Sequence, residues 1–590
     1  MQHKRGIPVS PGVAISPAFV LDADQQRIAR RTITRPAVTG EIERLNQAVV
    51  TSITEIEELR DQTASSFGVA ISKIFDAHIS LLTDPHVIDP IHEAIRGQCV
   101  TAEYAVYSRM QQLHETFRRG QNPLARKHAS DVLDLEQRIL KHLIGTDFSD
   151  LGTLDHQAVV VAHDLTPSQT AALDRTKIRG LATDAGGQTS HTAILAHALG
   201  IPAIVGLEDI TARVRTGDSL IVDGHRGLVV INPDAAKLME YRQVEQRMAA
   251  FTDTLGEIKS LPAVTKDGTK ITLLANIEFP SEIPEAIANG AEGIGLYRTE
   301  FLYLASEVEP SEQEQYETYL QAIQSLKGRP MTIRTLDLGA DKISESLRPF
   351  GPEHEERNPF LGCRSIRLCL QNLPLFKTQL RAILRASEAG PVRIMFPLIS
   401  NIMELRQARM ILSDVKEDLE EQAVPYRSDI PTGMMIEVPS VAIQSRTFAR
   451  EVDFFSIGTN DLIQYTVAVD RSNELIANLY SAAHPALMTL LKEILRAAQG
   501  AKLDVSLCGE MGGEPEFTML LLGLGLRTLS ISPPAIPEIK RIVRSVSIDQ
   551  CRRVVRKVRA LDSEREVLNC LKDEVGKIMP EVFDGRSVGY

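Results

Sequence analysis

Two places in this chain combine residue types and spacings suited to chemistry. The first is Asp184-Ala-Gly-Gly-Gln-Thr-Ser-His-Thr192, where a glycine turn leads into a helix that the spacing predicts over 192–199. His191 then stands at a helix N-terminus, whose free N–H groups and partial positive charge favour a phosphoryl group. A neutral imidazole there can accept that group as a nucleophile. The flanking glycines and hydroxyls argue against a packed-core histidine, and His197, six residues on, is poorly spaced for a shared metal. The second place is a set of polar residues in the C-terminal half. Arg298, Arg334, Arg364, Arg471 and Lys342 supply cations, and Glu437 and Asp461 are potential metal carboxylates. Arginine forks match phosphate and carboxylate oxygens, and Mg2+ prefers one or two carboxylates completed by ligand oxygens. Together they describe a site for a small polyanion with a divalent cation.

The elements that must position these groups are legible in the apolar pattern. Eight short apolar runs alternate with amphipathic helical segments after residue 262: Ile271–Ile277, Gly293–Arg298, Met331–Leu336, Arg393–Leu398, Gly433–Ile436, Asp453–Ile457, Asp504–Leu507 and Thr528–Ser530. Such alternation implies parallel strands with crossover helices, and eight units predict a (β/α)8 barrel. Asn276, Arg298 with Glu300, Arg334 with Asp337, Glu437, Asn460 with Asp461, and Cys508 with Glu510 all fall at or just after strand ends. That is the rim where such barrels carry their active sites.

Ahead of the barrel, Ala158–Ala162 and Ile178–Thr183 read as strands and Ser219–Val230 as a hairpin, with the early strand over Gly6–Val20 joining the same sheet. Ile42, Leu45, Val49, Ile53, Ile56 and Leu59 recur at helical spacing and open a bundle of four or five helices inserted into that sheet, with Gly68, Pro85, Pro90, Gly97, Gly120 and Pro123 expected mostly between segments. The expected fold is therefore multidomain α/β. An α/β domain (1–35 and 145–232) carries His191, a helical bundle occupies 36–144, a linker helix 233–262, and the barrel 263–590.

The chain has 590 residues, 43% hydrophobic and 24% charged, too many for one core and too apolar for disorder. With 65 Lys and Arg against 77 Asp and Glu, its net charge of −12 is a poor basis for general nucleic-acid binding. No apolar run approaches a membrane span, the N-terminus is interrupted by Pro8, Pro11 and Gly12 before any signal-peptide core, and six scattered cysteines form no C-x-x-C pair. A reduced, cytoplasmic protein without membrane insertion is expected. Gly290-Ala-Glu-Gly293-Ile-Gly295 precedes a strand instead of following one, and no P-loop exists.

The motifs resemble those of Enzyme I of the phosphoenolpyruvate-dependent phosphotransferase system. The resemblance rests on Gly186-Gly-Gln-Thr-Ser-His-Thr192, Asp164-Leu-Thr-Pro-Ser168, Gly295-Leu-Tyr-Arg-Thr-Glu-Phe301, Arg334-Thr-Leu-Asp-Leu-Gly339, Asn358–Arg364, Asp453–Leu462 and Cys508-Gly-Glu510. It implies that His191 is phosphorylated by phosphoenolpyruvate with Thr166 beside it, and that Arg298, Arg334, Arg364, Arg471 and Asn460 bind the substrate. It further implies that Glu437 and Asp461 hold Mg2+, and that Cys508 protonates the enolate that becomes pyruvate. The acceptor would be the phosphocarrier HPr, docking on the bundle near Ile74-Phe-Asp-Ala-His78, and the family's homodimer through the barrel is expected here.

Gln188, Ala340 and Cys363 depart from residues common in that family (Arg, Gly and Trp), but none is required by the chemistry. The related dikinases carry a large ATP-grasp domain for which the stretch before Ala158 is too short, and the nitrogen-regulatory form of Enzyme I carries a sensory domain for which nothing precedes Gly6. An inactive HPr-binding scaffold would need none of His191, Glu437, Asp461 and Cys508.

Overall fold

The computed structural model describes residues 2–10, 12–21, 28–67, 69–119, 129–144, 154, 156–165, 177–186, 196, 201–304, 309–339, 358–471, 473, 476 and 479–580. The chain divides into two compact units at Ala249/Ala250. His191, Thr166, Lys342, Gln188, Ala340, and the 192–199 helix apart from Ala196 lie outside the described residues.

The first unit is built on an eight-stranded sheet. Its strands are β1 (Gln2–Arg5), β2 (Ile7–Ser10), β3 (Val13–Val20), β4 (Ala158–Ala162), β5 (Ile178–Thr183), β6 (Ala203–Val205), β7 (Ser219–Asp223) and β8 (Leu228–Ile231), in the order β1-β8-β7-β3-β4-β5-β6-β2. The apolar run Ala-Val-Val-Val-Ala of β4 is buried throughout, because both faces of a parallel strand are covered. Val160 packs with Leu181 and Ile201 on one face, while Val159 and Val161 pack with Ile210 and Val222 on the other. The hairpin expected over 219–230 is the antiparallel pair β7–β8.

Between β3 and β4, which are parallel neighbours in the sheet, the chain makes α1 (Val38–Phe67), α2 (Val69–Thr83), α3 (Pro85–Gln98), α4 (Ala102–Arg119) and α5 (Ala129–Ile144). The helices are thus an insertion, as their place in the sequence suggested. Leu45, Val49 and Ile56 of the predicted α1 stripe are buried in the bundle core. Two positions need correction. Pro90 and Gly97 lie within α3, not between helices. A proline there cannot bond the carbonyl four residues back, and that carbonyl, on His86, instead accepts from Arg109 Nη2 of α4 at 2.9 Å. In the segment ending in His78, the described side chains divide between interior and surface. Phe75 and His78 are buried, with His78 lying 3.6 Å from both Asp131 and Asp134, while Asp76 is exposed and pairs with Arg60.

A sixth helix, α6 (Ala235–Ile258), follows the sheet. Its Tyr241 is buried against the first unit and donates to Asp223 Oδ2 at 3.0 Å. Beyond it, in the second unit, Lys540 Nζ and Arg544 Nη1 each donate at 2.7 Å to the carbonyls of Lys259 and Pro262.

The second unit is a closed barrel of eight parallel strands: β9 (Thr272–Ile277), β10 (Ile294–Tyr297), β11 (Met331–Arg334), β12 (Val392–Phe396), β13 (Thr432–Ile436), β14 (Phe454–Ile457), β15 (Asp504–Leu507) and β16 (Thr528–Ile531), with β16 pairing β9 to close the ring. Each coincides within two residues at either end with an apolar run of the sequence. The interior is packed, with the Phe454 ring lying on Gly433, where a Cβ would stand only 2.6 Å from the ring carbons. Among the described residues no helix is long and apolar enough to cross a membrane.

Replacing Arg109 by Ala leaves the His86 carbonyl unpaired beside Pro90, and we expect a loss of about 1–2 kcal/mol in the bundle. Adding Pro90→Ala restores an N–H for that carbonyl, so amide exchange along α3 should quicken in the single variant and return toward wild type in the double.

Candidate active site at the barrel rim

A cavity of about 620 Å³ opens at the C-terminal ends of the barrel strands. Arg298 follows β10, Arg334 ends β11, Glu437 follows β13, Asn460 and Asp461 open the helix after β14, and Cys508 follows β15. All of these line it, together with Arg364 and Arg471. Every described member of the sequence-predicted barrel set is therefore brought to one place. The parallel strands all run toward this face, so residues that end strands far apart in the chain converge there.

The guanidiniums are held by carboxylates. Arg334 pairs through Nη2 with Glu300 Oε1 at 3.0 Å and through Nη1 with Asp337 Oδ2 at 2.9 Å. The other oxygen of Asp337 takes Arg364 Nη2 at 2.9 Å, and Arg364 also lies 3.6 Å from Asp461. Arg471 approaches Asp461 at 3.5 Å, and Arg298 pairs with Glu278 at the mouth. Burial alone would raise the Asp337 carboxyl, but Arg334 and Arg364 outweigh it and hold it down at about 2. Burial, opposed by Arg334, pushes Glu300 up. Tyr465, whose hydroxyl donates to the Phe360 carbonyl at 2.6 Å, lies 3.5 Å from Arg364 Nη1.

Behind these pairs runs a buried polar chain. Gln379 Nε2 donates to Thr299 Oγ1 at 3.1 Å, Thr299 Oγ1 donates to the Arg334 carbonyl at 3.0 Å, and Leu336 N donates to Gln379 Oε1 at 2.9 Å. The backbone leaving Arg334 is thereby tied at two points to a helix of the outer ring. Ser365, beside Arg364, has φ 58°, a conformation disfavoured for a residue with a Cβ. It is held there by its N–H on the Leu338 carbonyl at 2.9 Å and by a bridge between Arg364 and Gly339. Strain of this kind is characteristic of positions fixed for function.

Cys508 is buried among Leu296, Met395, Met435 and Phe454. Its thiol accepts from Ser456 Oγ at 3.2 Å, Ser456 in turn accepts from Ser506 Oγ at 3.2 Å, and Cys508 Sγ lies 3.6 Å from the Ile457 carbonyl. Burial pushes the thiol up to about 11, against the lowering effect of the Ser456 bond. Cys508 is therefore neutral and proton-bearing at physiological pH. Next to it, a Cβ on Gly509 would collide with Thr459, so only glycine lets the chain pass there.

Four arginines and six carboxylates line the cavity, an excess of negative charge unsuited to a polyanion without a cation. Glu437, buried and near Asp461, is pushed up to about 8 by burial and by the Asp461 and Asp337 charges, and Leu398 N donates to its Oε1 at 2.6 Å. Asp461 Oδ1 is buried without a hydrogen bond. Among the described residues no three His, Cys, Asp or Glu side chains form a cage. Two adjacent buried carboxylates with an unsatisfied oxygen fit a cation that takes its remaining oxygens from a ligand, as Mg2+ does.

Sequence reasoning placed Glu300 and Asp337 at strand ends without recognising them as counter-ions, and it missed Ser456 altogether. The Arg-x-Glu and Arg-x-x-Asp spacings after β10 and β11 were available signals; a serine inside a buried strand gives none. Cys363, one of the departures from the family pattern, is buried with its thiol donating to Gln371 Oε1 at 3.3 Å and is not among the residues lining the cavity. In the first unit, Asp184, close after β5 on the way to His191, is buried and accepts from Thr211 N at 3.1 Å, with His163 Nδ1 at 3.4 Å.

Because Asp337 lies below the ordinary ~3.9 of a free aspartate, its stabilisation is complete above that value and is lost as the pH falls toward about 2. Asp337→Asn should cost the barrel about 3–5 kcal/mol at neutral pH, since two buried guanidiniums lose their shared charge. Urea unfolding should also show a shallower loss of stability than wild type below about pH 4. Ser456→Ala removes a donor to the thiol and raises it further, so alkylation of Cys508 by iodoacetamide at a fixed alkaline pH, followed by peptide mass spectrometry, should slow.

Family models of phosphoenolpyruvate-utilising enzymes match along the chain: the N-terminal domain over 5–127, the mobile domain over 154–227 and the phosphoenolpyruvate-binding domain over 252–548. The phosphoenolpyruvate-protein phosphotransferase of Geobacillus stearothermophilus is 41% identical over 567 residues, covering 96% of this chain and 97% of the relative. That of Staphylococcus carnosus (strain TM300) is 38% identical, covering 98% of both. An NMR solution structure of an Enzyme I protein is 35% identical over 42% of this chain and 99% of its own, with a TM-score of 0.36. The full-length identity and the three matched models agree with the resemblance read from the motifs, and this chain belongs to the phosphoenolpyruvate-protein phosphotransferase family.

Proposed function

We propose that this enzyme transfers the phosphoryl group of phosphoenolpyruvate to its own His191, releasing pyruvate, and then to a histidine of the phosphocarrier HPr. The observation that carries this reading is the barrel cavity, where four arginines surround a buried, protonated thiol and a carboxylate pair. Arg298, Arg334, Arg364 and Arg471, with Asn460 and Lys342, bind the phosphate and carboxylate of the substrate. Arg334 and Arg364 are set in advance by Asp337, so little reorganisation accompanies binding, the condition under which fixed charges contribute most to catalysis. Asn460 is fixed by reciprocal bonds of 2.9 Å with Glu510.

In the chemical step the bridging P–O bond breaks and a N–P bond forms on His191. The electron pair left on the enolate oxygen is drawn into the carbonyl as C3 takes the proton of Cys508, giving pyruvate. A thiol held neutral serves as the acid. Glu437 and Asp461 would hold Mg2+, which neutralises charge on the phosphoryl oxygens when bound. Thr166 would steady the group on His191. The region 1–35 with 145–232 serves as the swivelling carrier, 36–144 as the HPr-docking bundle, 233–262 as the linker helix and 263–590 as the substrate barrel. A cytoplasmic homodimer through the barrel, in sugar uptake or its regulation, completes the reading.

With purified protein, Mg2+ and phosphate-labelled phosphoenolpyruvate, we expect acid-labile, base-stable label to appear with pyruvate, to vanish in His191→Ala and to drain onto added HPr. Cys508→Ala should slow pyruvate formation by about 10²-fold or more. Absence of label with His191 intact would sink the enzyme and favour a scaffold that binds HPr without turnover.

A further inference from the structure

On the opposite, N-terminal face of the barrel lies a second cavity of about 560 Å³. It is bounded by the helices Pro485–Ala501, Pro515–Leu524 and Ile548–Val558 and by the starts of β15 and β16. Lys492 and Arg496 enter it from the first helix, Arg552 and Arg559 from the third, and Arg527 from the turn before β16. The single acid in its lining, Asp504, is already engaged by Arg393 at 2.8 Å. Arg496 has Glu493 at 2.9 Å and Arg552 has Asp549 at 3.2 Å. Among the described residues, no carboxylate lies within 4.0 Å of Lys492, Arg527 or Arg559.

Cations near helix C-termini often do no more than answer the helix dipole, and Arg527 does this in part, its Nη1 donating to the Leu522 and Leu526 carbonyls at 2.9 and 2.7 Å. Three helix ends of about half a charge each offset only about half of the three unpaired cations. Burial first, then Arg496 and Arg559 against Glu493, lower Lys492; burial first, then Arg552 against Cys551 and Asp267, lower Arg527. Like charges gathered in a cleft with low-dielectric walls focus the field and concentrate anions. The volume is that of a small-molecule site, and the apolar side chains of Leu495, Leu524 and Val555 leave wall for an organic portion. Planar guanidinium forks select phosphate oxygens.

We propose that this cavity binds a small organic phosphate carrying at least two negative charges, at a site separate from the catalytic rim. The floor of the site is the start of β15, whose far end leads to Cys508.

The test is calorimetric titration of the full chain with inorganic pyrophosphate at low ionic strength, repeated with citrate. Pyrophosphate should bind wild type and the rim variant Arg364→Ala alike. Its affinity should fall by about tenfold or more in Lys492→Gln/Arg559→Gln, a double variant whose His191 labelling by phosphoenolpyruvate stays at the wild-type level and so reports an intact fold. Should that labelling fall, the single variants Lys492→Gln and Arg559→Gln provide the comparison. Citrate binding as tightly as pyrophosphate would overturn the phosphate assignment. Three results would overturn the site itself: no heat at millimolar pyrophosphate, binding lost in Arg364→Ala, or binding untouched by the Lys492 and Arg559 substitutions.

Discussion

A guanidinium taken out of water must have a carboxylate within reach, and the barrel rim of this protein is organised around that demand. Asp337 meets it for two arginines at once, holding Arg334 with one oxygen and Arg364 with the other at 2.9 Å each. Breaking such an arrangement costs more than forming it returns, so the two forks have one stable orientation. Glu300 and Asp461 extend the same network to either side. The remaining imbalance, more carboxylates than arginines, is what gives Glu437 and Asp461 their fit to a divalent cation.

Around this electrostatic centre the barrel supplies rigidity. Gln379 reaches from the outer helices to Thr299, which bonds the Arg334 carbonyl, and to the Leu336 N–H, and the strained Ser365 is held by its own bond to Leu338 and by the bridge between Arg364 and Gly339. Cys508 is treated differently from the charged groups. Its apolar surroundings keep the proton on sulfur, while Ser456 and Ser506 orient it from within the barrel. One cavity thus contains charged groups fixed by their partners and a thiol kept neutral by desolvation, the two environments on which the proposed function draws.

The inserted bundle shows the same economy on a smaller scale. Pro90 removes a hydrogen bond within α3, and Arg109 of the next helix supplies the missing donor to the His86 carbonyl. The buried His78 sits between two aspartates, with Phe75 buried beside it and Asp76 left at the surface.

What the sequence determined by itself was periodic and local. Alternating apolar runs and helices marked eight strands, and because parallel strands share a direction, the polar residues ending them had to share a rim; that reasoning placed Arg298, Arg334, Glu437, Asp461 and Cys508 there. Motif resemblance added their roles and that of Thr166, whereas the glycine turn ahead of a helix start marked His191 and charge grouped Lys342 with the rim. The tertiary structure decided which charges meet. Arg364 and Asp461 are 97 residues apart in sequence, and Arg334 could have paired with any acid on the rim; closure of the barrel and the register of its strands chose Glu300 and Asp337. Burial likewise decided that Cys508 keeps its proton and that Pro90 stays inside a helix, since both depend on neighbours that local spacing does not encode.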